Sequence, residues 1–134
     1  MNRDEILNMS AGREMDALVA EKVMGWTTIR ERTYKHSSGI KGSRPYNVKE
    51  IVGKDPNQRL GGDAILSYSE NISDAWLVVE KLDLKWRAEN DLGYDGSISF
   101  GFYLGAELYK NFCWAEGETL PHAICLAALL LVTK

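Results

Sequence analysis

The spacing of apolar positions changes along this chain, and each change marks an element. Between Ser10 and Gly25, Met15, Leu18, Val19 and Val23 recur at helical intervals, which predicts a helix with one buried face. Ser10 suits its N-cap, Glu14 and Asp16 favour its positive end, and Gly25 suits its stop. A second helix is expected to open at Ser69, with Glu70 in its first turn. There Ile72, Ala75, Trp76, Val79 and Leu82 follow the i, i+3, i+4, i+7 rule, while Asp74, Glu80 and Lys81 face water.

From Leu82 the period drops to two. Leu82, Leu84, Trp86 and Ala88 alternate with Asp83, Lys85, Arg87 and Glu89, the signature of a strand with one charged face. The stretch "NDLGYDG" (90–96) is rich in residues that tolerate positive φ and reads as a turn. Ile98, Phe100, Phe102 and Leu104 then form a second alternating run. After a bend at "LGAE", "LYKNFCWA" (108–115) reads as a third strand, and a three-strand antiparallel meander follows. Trp86, Phe100, Phe102, Phe112 and Trp114 are expected mostly on its core face. The last helix starts near Thr119 with Pro121 in its first turn, where a missing N–H costs nothing. Beyond His122 it is apolar on every side, so it is expected to be the most buried helix.

Residues 26–68 lack such periodicity. "TTIRERTY" has strand propensity, Pro45 biases Arg44 away from helix, and "KDPNQRLGGD" reads as loop. One or two short strands in irregular backbone are expected. The fold class is therefore α+β: a three-strand meander, plus those short strands, sandwiched by three helices. At 134 residues the chain is read as one domain (1–134), with a loop-rich insert at about 27–67.

Charge alters the picture only in that insert. The formal net charge is −3. Residues 30–60, however, hold Arg30, Arg32, Lys35, Lys41, Arg44, Lys49, Lys54 and Arg59 against Glu31, Glu50 and Asp55. That is a local +5 within a remainder of −8. A segment of one sign in a background of the other concerns partners, not fold. It fits an anion, or an acidic patch on another copy of the chain.

Other chemistry finds little support. The N-terminus is too polar for a secretory signal. The apolar run Ala123–Val132 falls short of the roughly 20 residues of a membrane span. Cys113 and Cys125 sit in apolar surroundings and are expected as buried, reduced thiols of a cytoplasmic protein. "SGIKGS" has the composition of a phosphate loop but not the Gly-x4-Gly-Lys-[Ser/Thr] pattern. Its glycines and serines could still present backbone N–H groups to an oxyanion, with Arg44 offering a bidentate fork. His36 and His122 have neither an aligned nucleophile nor further ligands at metal-site spacing, and His122 is read as an exposed residue of a first helical turn. Asp91, Asp95, Glu116 and Glu118 are read as turn formers. No catalytic residue, metal site or cofactor loop emerges, so an enzyme is not expected.

Three segments, "GREMDALVAEKVMGW" (12–26), "YSENISDAWLVVEKL" (68–82) and "ETLPHAICLAALLLV" (118–132), resemble the phage ABA sandwich domain, a family of short bacteriophage and prophage proteins. The resemblance implies helices sandwiching a small antiparallel sheet and a phage or prophage origin. It implies no defined activity, and it does not extend over residues 27–67, where the basic charge lies.

The functional expectation is therefore a non-enzymatic phage protein that binds an anionic, nucleotide-like small molecule. One concrete form is sequestration of a host nucleotide immune signal, an anti-defence role in the host cytoplasm. The alternative is a protein–protein module that self-assembles or binds a host protein through the basic insert. The candidate ligand-binding residues are Arg32, Lys41, Arg44, Tyr46 and Lys49, with Lys85 and Arg87 as a second cluster; a tyrosine beside such cations can stack a base. A homo-oligomer is expected. Duplex nucleic acid is disfavoured by a pI of about 5.4, because duplex binders present a positive domain.

Overall fold

The computed structural model describes residues 2–37, 39–56, 64–92, 98–105 and 113–133. In chain order these form α1 (Arg3–Leu7), α2 (Arg13–Lys22), β1 (Thr27–His36), β2 (Tyr46–Lys54), α3 (Ile72–Leu82), β3 (Trp86–Leu92), β4 (Ile98–Leu104), β5 (Cys113–Gly117) and α4 (Leu120–Val132). Two antiparallel sheets result. One is the meander β3-β4-β5, and the other is the pair β1-β2. The fold is α+β, as its sequence pattern predicts.

Helix α4 is the centre of the molecule. Thr119 caps it by accepting from the His122 N–H at 3.3 Å, Pro121 lies in the first turn, and every residue from Pro121 to Leu130 is buried. One side of α4 lies on the meander; α1, α2 and α3 pack around the rest. The sheet meets it through Phe102, Leu104, Cys113 and Ala115, all buried. Gly117 closes that contact. A Cβ there would lie 2.7 Å from the Ala123 backbone nitrogen, so only a glycine permits this approach. Both cysteines are free and buried.

Several expectations need correction. A short helix α1, capped by Asn2, precedes the first predicted one. The helix after it starts at Arg13, with Gly12 and not Ser10 as its N-cap. The next helix is capped by Asn71, whose side chain accepts from the N–H groups of Ser73 and Asp74. Ser69 is instead fully buried and bound to α2: Asp16 Oδ1 accepts from its N–H at 2.7 Å and from its hydroxyl at 2.6 Å. Asp16 is thus a buried tie between α2 and the segment leading into α3, not a solvent-facing helix-end charge.

The third predicted strand begins later than expected, at Cys113; residues 108–112, with Phe112, lie outside the described residues. Its alternation is buried at Cys113, Ala115 and Gly117, which turns Trp114 outward at 39% exposure. The first meander strand also starts later, at Trp86, and as an edge strand it leaves Trp86 47% exposed and Ala88 exposed. Trp86 still packs edge-on against Trp76, with centroids 4.8 Å apart, and stacks over Phe102. His122, expected exposed, is buried. Its Nδ1 accepts from the Glu118 N–H, so Nε2 carries the proton and donates to the Met9 carbonyl at 2.9 Å.

The largest departure is in residues 27–54. The expected short strands in irregular backbone are two strands of 10 and 9 residues, paired from Thr27↔Lys54 to His36↔Tyr46. They form a β-arm. At its base the register shifts between Thr27 and Arg30 and Thr28 takes φ 56°, a bulge of the kind that re-aims a strand. Gly53 lies opposite; a Cβ there would meet Ile29, the Thr27 carbonyl and the Trp26 ring at 3.1–3.2 Å. Ile65 donates its N–H to the Ile51 carbonyl and Ala64 bridges Val52, so the base of β2 gains a second neighbour besides β1.

Candidate functional site

The arm carries most of the sequence-predicted site residues. Strand parity assigns their faces, because successive side chains alternate. Arg32, Tyr34 and His36 share one face with Tyr46, Val48 and Glu50; Thr33 and Lys35 share the other with Asn47 and Lys49. Arg32 is engaged within the arm: its Nε and Nη2 both donate to Oε1 of Glu50, its cross-strand neighbour. Tyr46 packs against His36 with ring centroids 5.3 Å apart. The lysine at 49 points to the opposite face from Tyr46, so one chain does not bring the expected aromatic–cation clamp together there.

On the lysine face, Thr33↔Lys49 and Lys35↔Asn47 are successive pairs, which makes Lys35 and Lys49 diagonal neighbours at roughly 7–8 Å between Cα atoms. Lys35 is absent from the sequence-predicted site set. The parity of its offset from Lys49 could have found it, had the two strands been recognised as paired. Lys41 and Arg44 lie in the tip between the strands, both exposed. Between them and the lysine face, four cations occupy the outer arm.

The inner arm rests on the body. Arg13 of α2 donates to the Lys49 carbonyl, and Arg13, Glu14, Ala17, Ile29, Arg30, Glu31 and Ile51 line a shallow trough between helix and arm. Beyond this, the described residues from Thr33 to Asn47 are exposed on both faces. Ile40, at the tip, is 71% exposed.

The second predicted cluster is elsewhere. Lys85 precedes β3 and Arg87 lies in it, in the meander and not beside the arm strands. Arg87 pairs with Glu89 at 3.1 Å and sits 4.3 Å over the Tyr103 ring, which in turn packs against Trp114. This outer sheet face is aromatic and mixed in charge. Of the acids considered from sequence, Glu116 and Glu118 are exposed, while Asp95 and the Asp91 side chain lie outside the described residues. Among the described residues no group of three or more His, Cys, Asp or Glu could hold a metal ion, and no helix is long and apolar enough to cross a membrane.

One feature had no sequence signal. A groove of about 730 Å³ opens at the arm's base, walled by α3. Its floor is Met24, Trp26, Leu66, Tyr68 and Leu77; Asp55, Asp74, Glu80 and Lys81 are its charged lining. Burial raises the Tyr68 phenol to about 12, so it is a neutral wall. The acids come from positions 55, 74 and 80, and only packing of the post-arm segment onto α3 assembles them.

Comparison with known proteins agrees with this architecture. The family model of the phage ABA sandwich domain matches residues 17–129. A crystal structure of a phage protein from Bacillus cereus ATCC 14579 is similar to this chain at 26% identity and a TM-score of 0.59, over 93% of this chain and 95% of that one. No curated protein matches. The chain belongs to the phage ABA sandwich domain family.

Proposed function

We propose that this member of the phage ABA sandwich family is a non-enzymatic phage or prophage protein that binds an anionic small molecule on its arm in the host cytoplasm. The observation that carries the reading is the outer arm, where Lys35 and Lys49 are diagonal neighbours on an exposed face and Lys41 and Arg44 follow at the tip. Paired cations at this spacing suit a phosphate group. Sequestration of a host nucleotide immune signal is the form of this activity that suits a phage protein. Isothermal titration with cyclic and ADP-ribose-type nucleotides tests it. Micromolar binding is expected, weakened at least tenfold in Lys35→Ala/Lys49→Ala, with the circular dichroism unchanged because exposed charges contribute little to stability. No heat with any of these nucleotides would sink the reading.

A second reading, self-assembly or host-protein binding through the arm, is favoured by a different observation. From Thr33 to Asn47 the described arm residues are exposed on both faces, so a ligand there is enclosed only when another molecule closes over it.

A further inference from the structure

We infer that two copies of this chain form a reciprocal dimer in which the arm tip of each enters the acid-rimmed groove at the base of the other's arm. The inference rests on the self-assembly reading above and names its contact. Complementarity of charge and shape carries it. The tip presents Ile40, 71% exposed, with Lys41 beside it and Arg44 four residues on. The groove presents an apolar floor of Met24, Trp26, Leu66, Tyr68 and Leu77 below the carboxylates of Asp55, Asp74 and Glu80, with Lys81 the one lining cation among the described residues. An aliphatic side chain flanked by two cations matches an apolar slot flanked by acids.

The tip cannot reach the groove of its own chain. Trp26 and Asp55, which line the groove, adjoin the first arm pair, Thr27↔Lys54, whereas the tip follows the last pair, His36↔Tyr46. Nine residues of strand separate the two ends, roughly 30 Å at about 3.3 Å per residue. The paired ribbon holds that distance, so the tip that fills a groove comes from a second copy. Two arms side by side in opposite directions put each tip at the other's base. The contact is then isologous and closes as a dimer, whereas a one-way contact would propagate. Lys41 and Arg44 are common to both readings, whereas Lys35 and Lys49 lie on the strands outside the docking tip, so Lys35→Ala/Lys49→Ala tests anion binding apart from assembly.

Light scattering on the purified chain tests the inference. Twice the chain mass is expected at low salt, falling toward the monomer at about 1 M salt, where the screening length is about 3 Å. Lys41→Glu/Arg44→Glu should be monomeric at low salt, because its tip repels the groove. Asp74→Lys/Glu80→Lys should be monomeric for the converse reason. An equimolar mixture of the two should recover the dimer mass, since each tip then faces a groove of opposite charge. Ile40→Asp, far from the core, should also be monomeric and provides a check independent of groove folding. A wild-type monomer at low salt overturns the inference. So does a dimer that persists in Ile40→Asp or in the tip charge swap, or a mixture that stays monomeric while both variants keep the wild-type circular dichroism. A monomer that still binds nucleotide sinks the dimer and leaves the anion reading standing; a dimer that binds none does the reverse.

Discussion

Gly117→Ala is expected to lower the melting temperature by about 10 °C or more, monitored by far-ultraviolet circular dichroism. The added Cβ would sit 2.7 Å from the Ala123 nitrogen, 3.1 Å from its Cα and 3.1 Å from the His122 carbonyl carbon. All three are backbone atoms in the first turn of α4, so no rotamer change relieves the clash. Either β5 or the start of α4 has to move. That start is held by the Thr119 cap and by the bond from His122 to Met9, so the movement would disturb several contacts together. Overpacking of this kind costs about 3 kcal/mol, and a domain of this size loses about 3–5 °C per kcal/mol. A shift of only a degree or two would mean that the approach of β5 to α4 is looser than described.

The second large effect is expected at Asp16. Asp16→Ala removes the acceptor of both Ser69 bonds and leaves the Ser69 N–H buried without it, at a cost of about 2–4 kcal/mol in denaturant unfolding. Asp16→Asn keeps an acceptor oxygen and should cost less than half as much. The pair also predicts a pH dependence. Burial holds the Asp16 carboxyl above its ordinary value of 3.8, despite the opposing Ser69 bonds. The native chain therefore keeps that proton more tightly than the unfolded chain. The contribution of Asp16 to stability falls as the pH rises from about 3.8 through the native value and is level above it. Asp16→Asn should lack this component. Equal costs for Ala and Asn, or identical pH profiles for wild type and Asn, would contradict this account of the tie.

Where burial determines the pattern, the sequence reads well. Helix α4 is apolar all round because it packs on every side, and the Phe100, Phe102, Leu104 alternation marks the one central strand of the meander. Edge strands obscure the same signal. Trp86 and Trp114 are large and apolar, yet one is half exposed on an edge strand and the other lies on the outer sheet face. Ser69 has the chemistry of a cap, but its partner, Asp16, is 53 residues away in sequence, a relation that no local pattern carries.

The arm was the least legible element, and for a physical reason. A two-stranded ribbon exposed on both faces buries too little to impose apolar alternation, so "TTIRERTYKH" shows propensity without period. Its charge could be read from composition, but not the parity that sets Lys35 beside Lys49 and turns Tyr46 away. The groove was invisible because Asp55 and Asp74 meet only through the fold. The candidate site was thus legible as a charged segment and not as a geometry.

The central claim is that the outer arm is the binding element and the sandwich its support. Replacing residues 33–49 with Asn-Gly joins Arg32 to Glu50, an existing cross-strand pair, through a two-residue turn suited to a hairpin. The α4-centred core and the arm pairs from Thr27 to Arg32 are kept, and the Arg13 bond to the Lys49 carbonyl is the one described body contact removed. Titration of this shortened chain with the nucleotide that binds the intact protein is the most direct measurement. The account predicts no detectable heat from a chain that keeps its helical circular dichroism; binding at the intact protein's affinity would contradict it.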